Sequence, residues 1–356
     1  MASVGSFIQG LPKAELHVHH VGSASPRIVA ELAARHEGRS PVPADPQLLD
    51  EFFTFTDFAH FITVYLSVVD LVRTPEDLWT LTYEVARDLA VQNVRYAELT
   101  LTPYTSVVRG IPAEDYCESV EDARHRAEAD LGITLRWCFD IPGESGIPAA
   151  DVTLDAALRL RPEGLVSFGL GGPEVGVPRQ QFAPHFRQAL AAGLHSVPHA
   201  GESTGPEAIW DAVHHLGAER IGHGISAARD PALMEHLAAK HISLEVCPTS
   251  NVRTRSVPSM AEHPLPELVA AGVPVTINSD DPPMFGTTLG HEYEVAADLL
   301  GLDEQGVADL ARAAVRASFL APAAKTALLD QIDDYVRAAS SDGRGGTAGT
   351  VGTVSG

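Results

Sequence analysis

The sequence predicts an α/β protein folded as a (β/α)8 TIM barrel, with a helical insertion after strand 1 and C-terminal helices. Three observations carry that expectation. Strand-like apolar runs alternate with helix-like segments along most of the 356 residues. Four polar clusters each close one of those runs: His17-Val18-His19, His199-Ala200-Gly201-Glu202, Gly222-His223-Gly224 and Ser279-Asp280-Asp281-Pro282. In a parallel barrel the C-terminal strand ends are where active sites are built. Finally, the turn after strand 1 carries His-x-His, where an open doubly wound sheet would want a Gly-rich phosphate turn.

Lys13 to His19 reads as strand 1, followed by a helix from Pro26 to His36 with Ser25 as N-cap and Pro26 at its first position. A long helical insertion occupies Asp45 to Asn93, its last helix opened by Pro75-Glu76-Asp77. Val94 to Leu101 is strand 2. A helix from Ala113 to Asp130 is ended by Gly132, and Ile133 to Ile141 is strand 3. Strands 4 to 8 follow at Gly164–Leu170, Leu194–His199, Arg220–His223, Ile242–Val246 and Val273–Asn278. Helices fill the gaps at 151–161, 180–192, 206–216, 231–240 and 264–271, and one or two more span 303–337. The barrel is thus expected over residues 1–337. Residues 338–356, rich in Gly, Ser and Thr, bury too little apolar surface to offset ordering and are expected to be a disordered tail.

Hydrophobic content of 45% supplies a sizeable core, and no apolar run approaches the roughly 20 residues of a membrane span. A net charge of -22 with no basic stripe disfavours a nucleic-acid partner. A small-molecule ligand fits that charge, and oligomeric state is not encoded legibly. Cys117, Cys138 and Cys247 stand far apart, which argues against both a disulfide framework and a thiolate zinc site. With no signal-like N-terminus, a cytoplasmic location is the default.

His17 and His19 lie two apart on a strand and so point to one side. With His199 and Asp280 they make a nitrogen- and oxygen-rich ligand set suited to one zinc ion with a position left for water. Glu202, three residues beyond His199, is placed for proton transfer beside that water. A helix N-terminal acid is the competing structural role for the same residue. His223, between two glycines, can orient or deprotonate the water. Asp280 and Asp281 point different ways, one to metal and one to substrate. No lysine occurs between residues 14 and 239, so a lysine-bridged pair of metals is excluded.

With these motifs in place, the chain resembles the adenosine deaminase family of metal-dependent hydrolases from Leu11 to about Tyr335. The resemblance rests on residues 12–19, 171–174, 199–202, 220–224, 247–251 and 279–282. It implies zinc on His17, His19, His199 and Asp280, with Glu202 protonating the purine ring nitrogen beside the amino-bearing carbon. It also implies that His223 and Asp280 hold the attacking hydroxide, that Asp281 contacts the five-membered ring and that the Gly172 amide contacts the remaining pyrimidine nitrogen. Ammonia and a 6-oxo purine would be the products.

One departure is informative. Family members usually follow His-x-His with Leu and then an acid that holds the ribose 5′-hydroxyl; here His20 and Val21 stand there. Valine leaves that hydroxyl without a partner, at a cost of roughly 1–3 kcal/mol. A bulky or partly apolar 5′ substituent gains from the exchange, and Phe52, Phe53, Phe55, Phe58 and Phe61 are candidates for a lid over it. The pattern is similar to the branch acting on 6-amino-6-deoxyfutalosine, a 5′-modified adenosine nucleoside of the alternative menaquinone route. Its aryl carboxylate would want Arg27, Arg73 or His20. Adenosine and adenine are the alternative substrates. A metal-dependent amide or ester hydrolase is the alternative enzyme class, and a non-catalytic binding barrel the alternative outside catalysis.

Overall fold

The computed structural model describes residues 4–55 and 58–344. Eight parallel strands follow one another in sequence order around a barrel: β1 (Lys13–His19), β2 (Val94–Leu101), β3 (Thr134–Pro142), β4 (Leu165–Gly171), β5 (His195–Ala200), β6 (Arg220–His223), β7 (Ser243–Val246) and β8 (Val275–Ile277). Each strand is buried almost throughout, as expected for a sheet covered on both faces.

Neighbouring strands pair by ordinary parallel ladders, but the seam between β8 and β1 is different. It consists of a single bridge, Val18 to Asp280. The His19 amide donates to the Asp280 carbonyl (2.9 Å), and the Asp280 amide donates to the His17 carbonyl (3.1 Å). The Asn278 side chain accepts from the Leu16 and His17 amides, and Glu15 accepts from the Ser279 amide and hydroxyl. The barrel therefore closes at the residues proposed as ligands.

Local chemistry explains most helix ends. Proline opens the helices Pro26–Arg35, Pro75–Val91, Pro206–Leu216 and Pro231–Lys240, where its missing amide costs nothing. Thr74 and Asp77 form a reciprocal capping box on Pro75–Val91. Gly132 ends Ala113–Leu131 in the left-handed conformation, φ 66°.

Some boundaries differ from expectation. β8 is shorter because Pro274 cannot donate to a ladder and Asn278 turns toward β1. The helix expected over 151–161 begins earlier, as Gly146–Asp155, and finishes in a π-helical turn, Ala156–Leu160. Short helices at Val4–Gly10, Pro103–Val107, Pro248–Arg253 and Pro282–Phe285 carry too few turns to show a periodicity in sequence. The final helix, Pro322–Arg344, overruns residue 337, because Val336 and Ala339 still pack against the core. The expected tail over 338–356 is thus helical as far as Arg344, and its remainder lies outside the described residues. Among the described residues no helix is long and apolar enough to cross a membrane.

Candidate metal centre and active site

His17, at the end of β1, sends Nδ1 to Glu245 Oε2 (2.9 Å), which leaves Nε2 facing the barrel mouth, buried and without a hydrogen-bond partner. His19 Nε2 lies 3.3 Å from His199 Nε2 and 3.2 Å from Asp280 Oδ1. His17 Nε2 is 3.7 Å from the same Asp280 oxygen. Four ligands about 2.0–2.1 Å from one ion sit roughly 3.3 Å from each other at a tetrahedron's edges. The spacing and the orphaned Nε2 of His17 therefore fit a single cation held by His17, His19, His199 and Asp280. The carboxylates also act on the imidazoles. Burial alone would lower their proton affinity, but Asp280 and Glu245 push His17 up to about 10, while Asp281 and Asp280 push His19 up to about 9.

The nitrogens of His17, His199 and His223 lie within 4.8 Å of one another, as do the ligand atoms of His17, Cys247 and Asp280. Burial, with the acids around it, holds the Cys247 thiol well above its ordinary range.

The support behind His17 runs deep. Glu245 accepts from Arg220 Nε (2.6 Å), and Arg220 also bonds Glu98 and the Ala317 carbonyl beneath the Phe319 ring. A carboxylate behind a metal-facing imidazole fixes its tautomer and orientation.

His223 is fixed by a longer chain. The Leu265 amide donates to His263 Nδ1 (3.1 Å), so the His263 hydrogen is on Nε2, 3.2 Å from Asn251 Oδ1. That forces the Asn251 amide nitrogen to donate to His223 Nδ1 (3.1 Å). His223 therefore carries its hydrogen on Nε2, 3.6 Å from Glu202 Oε2 and 3.8 Å from Asp280 Oδ2. His223 (φ 58°) and Asp280 (φ 66°) both adopt the left-handed backbone that side chains disfavour. Ser250 donates to Asp280 Oδ2 (2.6 Å) and completes that carboxylate's surroundings.

Glu202 rides on a turn pinned by Glu174. The Glu174 carboxylate accepts from the amides of Gly201 (2.7 Å), Glu202 (2.8 Å) and Ser203 (2.8 Å) and from the Thr204 hydroxyl (2.6 Å). Glu202 Oε1 accepts from Thr254 and Ser256, and the side chain is 21% exposed. Asp281 faces the mouth with Oδ1 buried and unpartnered, above Gly22, where any Cβ would collide with that carboxylate. Burial and the neighbouring Asp280 charge push Asp281 upward. Gly172 follows β4 with φ 76°, a backbone that side chains disfavour, and lies against the Glu144 carboxylate.

The 5′-side candidates divide. Val21 and His20 line one cavity, and His20 Nε2 bonds Thr82 Oγ1 (2.9 Å) while burial lowers its pKa to about 3. His20 is therefore neutral and offers no charge to a carboxylate. Arg27 is paired with Glu84 and Asp88, and Arg73 reaches the Arg39 carbonyl. Phe55 and Phe61 meet Phe285 on the helix after Asp281, with Arg253 over the Phe55 ring. The side chain of Phe58 lies outside the described residues.

No role was assigned from sequence to Glu98, Glu174, Glu245 and His263, although Glu174 closes the 171–174 motif. The first and third were signalled by a lone acid inside an apolar strand, Ala97-Glu98-Leu99 and Leu244-Glu245-Val246. His263 carried no signal.

The adenosine deaminase family model matches residues 12–335. Aminodeoxyfutalosine deaminases of Streptomyces coelicolor and Streptomyces avermitilis are each 66% identical over 335 residues. That is 94% of this chain, and 86% and 93% of the two relatives. Among solved structures, an adenine deaminase from Arthrobacter aurescens superposes with a TM-score of 0.86 at 33% identity, covering 92% of this chain and 99% of that one.

Proposed function

The chain belongs to the adenosine deaminase family, and on that premise we propose that it hydrolyses 6-amino-6-deoxyfutalosine to futalosine and ammonia, a step of the alternative menaquinone route. The observation that carries the substrate is the match to aminodeoxyfutalosine deaminases along nearly the whole chain, together with Val21 in place of an acid. His17, His19, His199 and Asp280 would hold one zinc ion. A divalent cation bound there supplies Lewis-acid activation of water at neutral pH.

The rest is done by side chains. The Nε2–H of His223 orients the incoming water, and Asp280 Oδ2 takes up the proton it releases. Glu202 gives a proton to the ring nitrogen next to the amino-bearing carbon, which makes that carbon electron-poor enough to be attacked. The water oxygen bonds to this carbon, the proton held by Asp280 passes to the amino nitrogen, and the carbon–nitrogen bond breaks to release ammonia, while the proton left on the new hydroxyl returns to Glu202. The ring keeps a 6-oxo group. Asp281, through its unpartnered oxygen, and the Gly172 amide hold the two other ring nitrogens that do not carry the ribose. The buried, unpaired cysteines suit a reducing cytoplasm.

Adenine is the second reading, favoured by the likeness to an adenine deaminase structure. Steady-state kinetics on aminodeoxyfutalosine, 5′-methylthioadenosine, 5′-deoxyadenosine, adenosine and adenine separates them. The highest kcat/KM is expected for aminodeoxyfutalosine. A higher value for adenosine or adenine overturns the assignment.

A further inference from the structure

The insertion lays a strip of aromatic rings along the rim of the mouth. It begins at Tyr65, which lines the same small pocket as Val21. Tyr65 meets Phe61 with ring centroids 6.1 Å apart, and Phe61 meets Phe55 at 5.2 Å and Phe285 at 5.0 Å. Phe285 belongs to the helix that follows Asp281, and its amide donates to the Asp281 carbonyl (3.1 Å). Phe61 and Phe285 are buried, while Tyr65 and Phe55 keep part of their surface in solvent. At the far end of the strip the Arg253 guanidinium stands over the Phe55 ring, 5.0 Å from its centroid.

Arg253 ends the helix Pro248–Arg253, and its neighbours on that segment already touch the chemistry: Ser250 bonds Asp280, Asn251 bonds His223 and Thr254 bonds Glu202. Arg253 itself is exposed, and among the described residues its side chain forms no ion pair and no hydrogen bond. A substrate carboxylate needs such a cation here. Glu202, Asp280 and Asp281 face the mouth and the chain carries a net charge of -22, so an anionic group is repelled unless a local cation meets it. Arg27 and Arg73 are engaged elsewhere.

We propose that Arg253 reads the aryl carboxylate on the substrate's 5′ side and so sets specificity, with the aryl ring lying on Tyr65 and Phe55. The inference rests on aminodeoxyfutalosine being the substrate. A guanidinium meets a carboxylate through two parallel N–H bonds and also stacks on aromatic faces, so one side chain can hold the acid and flank the ring. The strip starts beside the residue that stands in for the 5′-hydroxyl acid and ends at the cation, the order in which ribose, ring and carboxylate follow one another. The group lies along the open rim, so no enclosed space has to hold it.

The test is steady-state kinetics of Arg253→Met and Arg253→Lys on three substrates: aminodeoxyfutalosine, its analogue with an unsubstituted phenyl ring, and 5′-deoxyadenosine. Arg253→Met should lose roughly fivefold to tenfold in kcat/KM on the carboxylated substrate, mainly through KM, as for a charged hydrogen-bonded pair at a partly exposed site. Arg253→Lys, which keeps the charge without the fork, should fall between it and the wild type. Both should change less than about twofold on the other two substrates, which also report intact folding. Added salt should narrow the wild-type preference for the carboxylated substrate over the phenyl analogue and leave that of Arg253→Met unchanged. Equal losses on all three substrates, or a loss under about twofold on the carboxylated one, overturn the role of Arg253 and leave the substrate assignment standing. If the wild-type enzyme itself shows no preference for aminodeoxyfutalosine over 5′-deoxyadenosine, the substrate assignment fails and the role of Arg253 falls with it.

Discussion

The two halves of the active site are built from opposite materials. On the metal side, strand ends supply charged groups, and most of these are backed by a buried partner: Glu245 behind His17, Asn251 behind His223, Ser250 beside Asp280, Glu174 beneath the Glu202 turn. On the 5′ side, an insertion and two outer helices supply Val69, Val72, Leu78, Ser106 and Tyr116 around a small pocket beside Val21. The difference teaches where each property is stored. The metal-side groups sit on strands that cannot shift without opening the barrel, which suits chemistry tolerating little displacement. The 5′ side is carried mostly by segments outside the strands, with Thr100 of β2 the exception, which suits substrate choice.

That contrast can be broken or sharpened by substitution. The largest effect is expected from Glu202→Gln, which should lower kcat by roughly 10²–10⁴-fold. Elemental analysis should find its metal content unchanged. Near-normal ammonia release from this variant would remove Glu202 from its assigned role. Glu245→Gln comes next, because it leaves every ligand in place but loosens the support of His17. Metal affinity, measured by competition with a chromophoric chelator, should weaken about 10–100-fold. Unchanged affinity would mean that the buried network serves the fold alone.

A smaller effect belongs to the other half. Val21→Asp restores an acceptor for a ribose 5′-hydroxyl and places a charge beside it. The ratio of kcat/KM for adenosine over aminodeoxyfutalosine should rise roughly tenfold, about 1.4 kcal/mol. A ratio that stays put would mean that residue 21 does not meet the 5′ end.

The smallest effect tests the cap of the helix that carries Leu78, a residue beside Val21 in the same pocket. Burial tends to raise the Asp77 carboxyl, but bonds from His36, Arg73 and Thr74 outweigh it and hold the group below its ordinary range. A carboxylate held low in the folded state contributes stability above its unfolded value and loses that contribution as pH falls through the folded one. Asp77→Asn should therefore cost about 1 kcal/mol near pH 7 and progressively less below about pH 4. Urea midpoints across that range would show the gap closing. A gap that widens on acidification would reverse the assigned sign.

The barrel was legible because alternation and strand-end motifs are local signals. Each strand is an apolar run, and every polar cluster sits where a run stops. The proposed ligands were legible for the same reason, since His17-Val18-His19 shows its spacing on the page. The backing groups were not. Glu174 bonds the turn at 201–204 from the preceding strand's loop, and the polarity of His223 is set from Leu265, far along the chain. Such contacts depend on how distant loops meet, which no window of sequence contains. The charged partner sought for an aryl carboxylate was misplaced for a related reason. Arg27 and Arg73 look free in sequence because their partners, Glu84, Asp88 and the Arg39 carbonyl, are fixed only by tertiary packing.

The lone bridge joining the last strand to the first has a wider bearing. Asp280 is the clasp of the cylinder as well as a neighbour of three imidazoles, and its carbonyl and amide hold the two ends of the sheet together while its carboxylate points into the mouth. An ion gripping His17, His19 and Asp280 at once would act as a rivet across that gap. Stripping it should let the wall gape at one place, so amide exchange would quicken first along the first and eighth staves and leave the opposite wall undisturbed.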